Sequence, residues 1–348
     1  MVYSGCERVL LSGDSIFVLT NDGRNLDALD REGAVRHQLS ARSLMEAGVG
    51  NPVLGDGGET ASADARIWAL WPEAQQEVVF MLLSCTRNGL TGNWLALKYD
   101  TALRRVAWYQ EVPMDFPKRK AVLSGGFLLL RENDQVVVLC QSDGSVAERL
   151  PLHNPEHLVV AGSHLIATSI TELCGFAAGG SGAEWRASTR EGEYIMAVAG
   201  ADDAVLLALT GERQTPTVFE CRAAADGVTK WRSDFYPGQA LGLPPCVSGD
   251  VVLLATSAYV TAVSLEKGEP IWYMGFRKSG LGISCAATQG DTFLLGIGST
   301  IQALSVEGGE FVWRSELPDM VRSLLVSENP AMSLYVTTAT GELFVIGD

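Results

Sequence analysis

The sequence predicts an all-β protein built as a single eight-bladed β-propeller of four-stranded antiparallel blades. Three observations carry that prediction. A unit of about 40 residues recurs along the whole chain, each unit holds four short apolar runs parted by Gly, Asp-Gly or Asn-Asp-Gly turns, and helical periodicity is nearly absent. Composition agrees: with 37 Gly and 13 Pro in 348 residues, 47% apolar and 19% charged, the chain is not disordered, coiled-coil or collagen-like. One blade alone has open edges and a bare face, which only packing against neighbouring blades buries.

Two copies set the ruler. They run from Gly249-Asp250-Val251-Val252-Leu253-Leu254-Ala255 to Trp272 and from Gly290-Asp291-Thr292-Phe293-Leu294-Leu295-Gly296 to Trp313. In both, the leading Gly lies 23 residues before the Trp, an Ala 10 before it and a turn Gly 4 before it. That turn Gly supplies the positive φ of a tight hairpin ahead of the fourth strand.

Along the chain, the first copy begins near Arg8 and reads Gly13-Asp14-Ser15-Ile16-Phe17-Val18-Leu19, Ala28-Leu29-Asp30 and Gly33, with His37 in the Trp place. The irregular Gly-rich and polar stretch that follows, within Ala41 to Val78, is expected as a long surface loop at about 41–66. The second copy is Trp94-Leu95-Ala96-Leu97-Lys98-Tyr99-Asp100 leading to Trp108, and the third keeps Gly125 and Gly144 with Glu148 in the Trp place. The fourth has Gly162 before Trp185, and the fifth has Cys221 and Gly227 before Trp231. The anchors His37, Trp108, Glu148, Trp185, Trp231, Trp272 and Trp313 are thus spaced by 71, 40, 37, 46, 41 and 41 residues. After Trp313 come three more strand-like runs, Val321 to Val326, Leu334 to Thr338 and Glu342 to Ile346, with no fourth. The N-terminal Val2 to Ser4 supplies it, closing an eighth blade of one domain spanning 1–348. Seven blades is the alternative count, resting on the long stretch after His37.

The net charge of −15, from 41 acidic and 26 basic residues, sets a repulsive field against nucleic acid and anionic membranes. The longest apolar run, Val78 to Leu83, is far below the roughly 18 residues of a spanning helix. The opening Met1-Val2-Tyr3-Ser4-Gly5-Cys6-Glu7-Arg8 places a charge pair before any apolar stretch, so neither a signal peptide nor a lipid anchor is expected. Seven scattered cysteines, mostly in β-type runs, read as small buried hydrophobes of a reducing compartment. A cytoplasmic location is expected.

The pattern Ala-Leu-Asp-x-x-x-Gly-x-x-x-Trp, as in Ala262 to Trp272 and Ala303 to Trp313, resembles the repeat of the PQQ-like (quinoprotein-alcohol-dehydrogenase-like) β-propellers, and the resemblance covers essentially the whole chain. It points to the non-enzymatic branch related to BamB, whose members have eight blades and no cofactor, although the BamB leader and lipid-anchor cysteine have no counterpart here. The resemblance assigns docking against the adjacent blade to Trp108, Trp185, Trp231, Trp272 and Trp313.

No catalytic, cofactor-binding or metal-ligating residues are expected. The quinone enzymes of the family use an adjacent cysteine pair, and this chain has no Cys-Cys dipeptide. His153, His157 and His164 cluster in sequence, but Asn154-Pro155 opposes the helix that would bring them to one face, and loop or strand positions are expected. Ser124-Gly125-Gly126 and Gly179-Gly180-Ser181-Gly182 lack the Lys-Ser/Thr of a phosphate loop, and there is no Gly-x-Ser-x-Gly elbow. The basic run Lys118-Arg119-Lys120, with Phe116 before it, and the loop aromatics Tyr236 and Phe276 are candidate partner contacts. The expected function is a rigid protein–protein interaction scaffold in a cytoplasmic multiprotein assembly, such as those built around AAA+ ATPases or conflict systems. A ligand-binding sensor propeller and a BamB-like envelope assembly factor are the alternatives.

Overall fold

The computed structural model describes residues 2–3, 6–12, 15–20, 23–30, 34–44, 64–72, 78–87, 90–112, 121–124, 126–132, 134–177, 183–211, 217–236, 241–257, 259–275, 282–326 and 334–346. They form an all-β, eight-bladed propeller of four-stranded antiparallel sheets, and their single helical turn covers residues 41–44.

The first blade runs Cys6–Ser12, Ser15–Thr20, Asn25–Leu29 and Val35–Ser40, and the second Asp64–Pro72, Val78–Arg87, Leu90–Asp100 and Arg105–Val112. The third runs Ala121–Ser124, Phe127–Glu132, Gln135–Cys140 and Val146–Pro151. The fourth and fifth are His157–Ala161, His164–Thr168, Glu172–Ala177 and Trp185–Ser188, then Glu193–Ala201, Ala204–Gly211, Thr217–Ala223 and Thr229–Tyr236. The sixth and seventh, built from the two ruler copies, are Cys246–Ser248, Val251–Ala255, Tyr259–Ser264 and Pro270–Gly275, then Ile283–Gln289, Thr292–Ile297, Thr300–Ser305 and Phe311–Glu316. The eighth takes Val321–Val326, Leu334–Thr338 and Leu343–Ile346, and its fourth strand is Val2–Tyr3, with Val2 opposite Phe344 and Tyr3 opposite Leu343.

Strand position decides burial. Second strands such as Ala204–Gly211 are buried on both faces, which is why they read as unbroken apolar runs instead of alternating ones. Fourth strands alternate between exposed and partly buried, as in Pro270–Gly275 and Phe311–Glu316. Each fourth strand whose full register is described in the first, second, fifth, sixth and seventh blades carries a β-bulge one residue before the Trp place, at Arg36, Ala107, Lys230, Ile271 and Val312. A bulge at an edge twists the free strand and hinders a further strand from adding there.

By proximity the chain separates into two compact units, Met1–Asn133, Val137–Arg149 and Gly341–Val345, and Asp134–Val136, Leu150–Thr340 and Ile346–Asp348. In the first unit, Phe17, Leu26, Val79, Met81, Leu95 and Leu97 make the core between the first two blades, and Phe80, Trp94, Leu128 and Leu139 belong to the next core. In the second unit, Ile166, Leu207 and Val218 pack between the fourth and fifth blades, Leu206, Phe219 and Leu254 between the fifth and sixth, and Leu253, Phe293 and Leu295 between the sixth and seventh.

The stretch expected as a loop at 41–66 is more structured at both ends. Ala41 and Leu44 of the helical turn are buried in the first core, and the strand Asp64–Pro72 begins inside the expected loop, where it pairs with Val78–Arg87. Residues 45–63 lie outside the described residues.

Candidate interaction surface

The repeated Trp occupies one geometry at four described junctions between consecutive blades. Trp108, Trp185, Trp231 and Trp272 donate Nε1–H to the backbone carbonyls of Gln141, Ala224, Leu265 and Val306, at 2.8, 2.9, 2.7 and 2.8 Å, each on the following blade. The N–H groups of those same four residues donate into the first hairpin of their own blade, to the carbonyls of Gly126, Asp203, Asp250 and Asp291. One residue per junction therefore uses its N–H within its own blade and its carbonyl for the preceding one. Three residues on stands the turn glycine, Gly144, Gly227, Gly268 or Gly309, with φ between 70° and 74°. A Cβ built on any of the four would lie 2.5 Å from the ring of the preceding blade's Trp, so the glycine serves the approach of the ring as well as the turn. Trp313 stands at the matching place of its strand, opposite Ala303 and partly buried.

Of the residues expected to meet a partner, Phe116, Lys118, Arg119 and Lys120 lie outside the described residues, as does Phe276. Tyr236 is not in a loop. It is the last residue of the strand Thr229–Tyr236, opposite Thr217, because the fifth blade's third and fourth strands pair further than the Pro237-Gly238 signal implies.

Exposed apolar side chains gather instead on fourth strands. Tyr273 is 77% exposed and Ile271 46% on the sixth blade, and Phe311 is 58% and Val312 51% exposed on the seventh. Pro270–Gly275 carries no charged residue, whereas the fourth strands of the first five blades and the seventh each carry at least one Arg, Lys, Asp or Glu. Since the bulges hinder strand addition, these strands offer side chains rather than a pairing edge.

A buried ionic cluster in the fifth blade has no forecast in the repeat. Glu220, 3% exposed, accepts from Arg222 Nε at 2.6 Å, Arg232 Nη1 at 2.7 Å and Thr229 Oγ1 at 3.0 Å. Arg232 also pairs with Glu193, and Arg222 reaches the Ser188 carbonyl of the fourth blade at 3.2 Å. Burial pulls Arg232 toward its neutral form, but its bonds to Glu193 and Glu220 outweigh this and hold its pKa above the usual arginine value. The signal was present at one place. Arg222 fills the third-strand slot held by Leu29, Val263 and Leu304 in other copies, and a charge in an apolar slot of a strand buried on both faces requires partners.

His153 pairs with Asp134 at 2.8 Å in a loop, His157 opens the first strand of the fourth blade, and His164 lies on the second strand, 3.5 Å from Glu184. Among the described residues, no group of three or more His, Cys, Asp and Glu side chains gathers as a metal ion requires. Cys140, Cys174, Cys221, Cys246 and Cys285 are free, and burial pushes the Cys221 and Cys246 thiols up to about 11.

These features define an eight-bladed β-propeller whose consecutive blades meet at repeated Trp–Gly junctions. The resemblance read from the repeats stands: residues 214–347 match the family described as outer membrane protein assembly factor BamB. Among solved structures, BamB from Moraxella catarrhalis is similar at a TM-score of 0.70 and 14% identity, over 100% of this chain and 98% of that one. The C-terminal WD40 domain of Sif2 is similar at a TM-score of 0.66 and 7% identity, again over 100% and 98%. At these identities the likeness is one of fold. No curated protein sequence matches the chain.

Proposed function

We propose that the chain is a protein-interaction scaffold, a non-enzymatic subunit of a multiprotein assembly, which meets its partner through the fourth strands of the sixth and seventh blades. The carrying observation is the set Ile271, Tyr273, Phe311 and Val312, exposed on an otherwise charged type of strand and lying within the segment that matches the BamB family. Large apolar and aromatic side chains held on a rigid sheet lose little entropy on binding and supply most of an interface's energy.

The test is capture from the native host. The tagged chain is expected to co-purify a partner in fixed ratio, and Tyr273→Ser with Phe311→Ser to weaken that binding by roughly 30-fold, the scale of a lost hot spot, with unchanged melting. Undiminished recovery by the double variant, or no partner at all, overturns the reading. The five free thiols, two buried and three partly buried, support a cytoplasmic, reducing compartment. The description of the matched family favours a second reading, a BamB-like envelope assembly factor. Fractionation of the native host, followed by identification of the captured protein, separates the two.

A further inference from the structure

The junction between the first and second blades lacks both halves of the Trp–Gly pair. His37 stands in the Trp place, opposite Ala28 just as Trp272 stands opposite Ala262, and the turn position four residues before Trp108 is Arg104, which holds φ +51° with a side chain in place. The two departures are linked by sterics. At the four regular junctions a turn Cβ would fall 2.5 Å from the Trp ring, so a turn that carries Arg104 requires a smaller ring opposite it.

Imidazole is smaller, but it titrates. His37 is partly buried, and its Nδ1 and Nε2 are both shielded from solvent with no hydrogen-bond partner among the described residues. Burial first, then the Arg104 charge from the second blade and the Arg36 charge from its own strand, hold its pKa below the ordinary 6.5. Among the described residues, the surrounding elements carry these titratable and charged groups. On the first blade they are Arg36, Arg24, the buried Asp27 on the strand that pairs with Val35–Ser40, and Asp30, whose Oδ1 accepts Ala34 N–H at 2.8 Å. On the second they are Arg104, Tyr99 and Asp100, whose Oδ1 accepts Leu103 N–H at 2.8 Å. The helical turn packed on the same core adds Arg42.

We propose that this junction is a proton-operated weak point of the propeller, at which protonation of His37 adds a third positive charge beside Arg36 and Arg104 and loosens the first blade from the second. Neutral His37 fills the slot above its pKa. Because the folded value is depressed, its stabilising contribution is complete above the unfolded value of 6.5 and is lost as pH falls through the folded one.

Amide hydrogen exchange on the full chain at about pH 7.5 and about pH 5.5, corrected for intrinsic rates, tests this. On acidification, Val35–Ser40 and Arg105–Val112 are expected to lose several-fold more protection than Phe311–Glu316, which lies away from this junction. The difference vanishes in His37→Gln, and in the pair His37→Trp with Arg104→Gly that rebuilds the regular junction. Should the Gln variant fold poorly, that pair carries the comparison. An equal acid response in the rebuilt junction, or a His37 resonance that titrates at or above the ordinary value, overturns the proposal.

Discussion

Arg232 joins two strands of one blade through two carboxylates that have left water with it. Removing the guanidinium strands Glu193 and takes one of its two cationic partners from Glu220, whereas removing an ion pair together exchanges that cost for apolar packing. Arg232→Met is therefore expected to cost about 3–5 kcal/mol in urea unfolding, and Arg232→Met with Glu193→Leu distinctly less, since Glu220 keeps Arg222. A double variant as unstable as the single one would mean that Glu193 is not strained by the loss. At this scale the sequence was legible only in part. Arg222 announced a buried charge by standing in an apolar slot, but its partners lie on strands whose pairing only the folded blade supplies, and nothing local linked Glu193 to Arg232 across 39 residues.

The Trp–Gly junction acts at the scale of the element, because it fixes a fourth strand to the next blade's hairpin. Two glycines with nearly equal φ separate its two costs. Gly192 and Gly227 have φ of 77° and 71°, yet a Cβ on Gly192 meets nothing within 4 Å while one on Gly227 meets the Trp185 ring at 2.5 Å. Gly192→Ala should lose about 1 kcal/mol for the left-handed backbone alone, and Gly227→Ala a further ~1–3 kcal/mol for overpacking. Equal losses would show that the ring yields freely. Trp231→Phe keeps most of the packing but leaves the Leu265 carbonyl with only the weak Cys221 thiol as donor, and should cost about 1–3 kcal/mol in the same assay. This level was the most legible, since a recurring Gly and Trp at fixed offsets are local signals. The start of the strand Asp64–Pro72 is hidden in the sequence because the Gly-rich, polar stretch just upstream runs into it without a turn signal, although Ile67, Trp68, Leu70 and Trp71 themselves favour a strand, and its ladder with Val78–Arg87 sets where it begins. Tyr236 was misplaced for the same reason: the Pro237-Gly238 signal marks a turn but not how far the preceding ladder extends.

At the scale of the molecule, the eighth blade is completed by residues from the opposite end of the chain. Val2–Tyr3 contributes only two residues to the ladder, yet it covers the edge of Leu343–Ile346, a strand of four apolar residues without a charge to deter another chain. Deleting residues 1–4 should therefore have two separable effects. The lost pairing is expected to cost about 1–3 kcal/mol, read as a fall of about 2–12 °C in Tm at roughly 2–4 °C per kcal/mol. The bared edge should also promote self-association, and the net charge of −15 opposes that while ionic strength is low. Light scattering at about 0.01 M and about 1 M salt, where the screening length falls from about 30 to about 3 Å, separates the terms. The truncated chain is expected to stay monomeric at low salt and to associate at high salt, while the intact chain stays monomeric in both. A truncated chain that melts with the parent and never associates would show that two residues are too few to matter, and that the eighth blade is held by its remaining three strands.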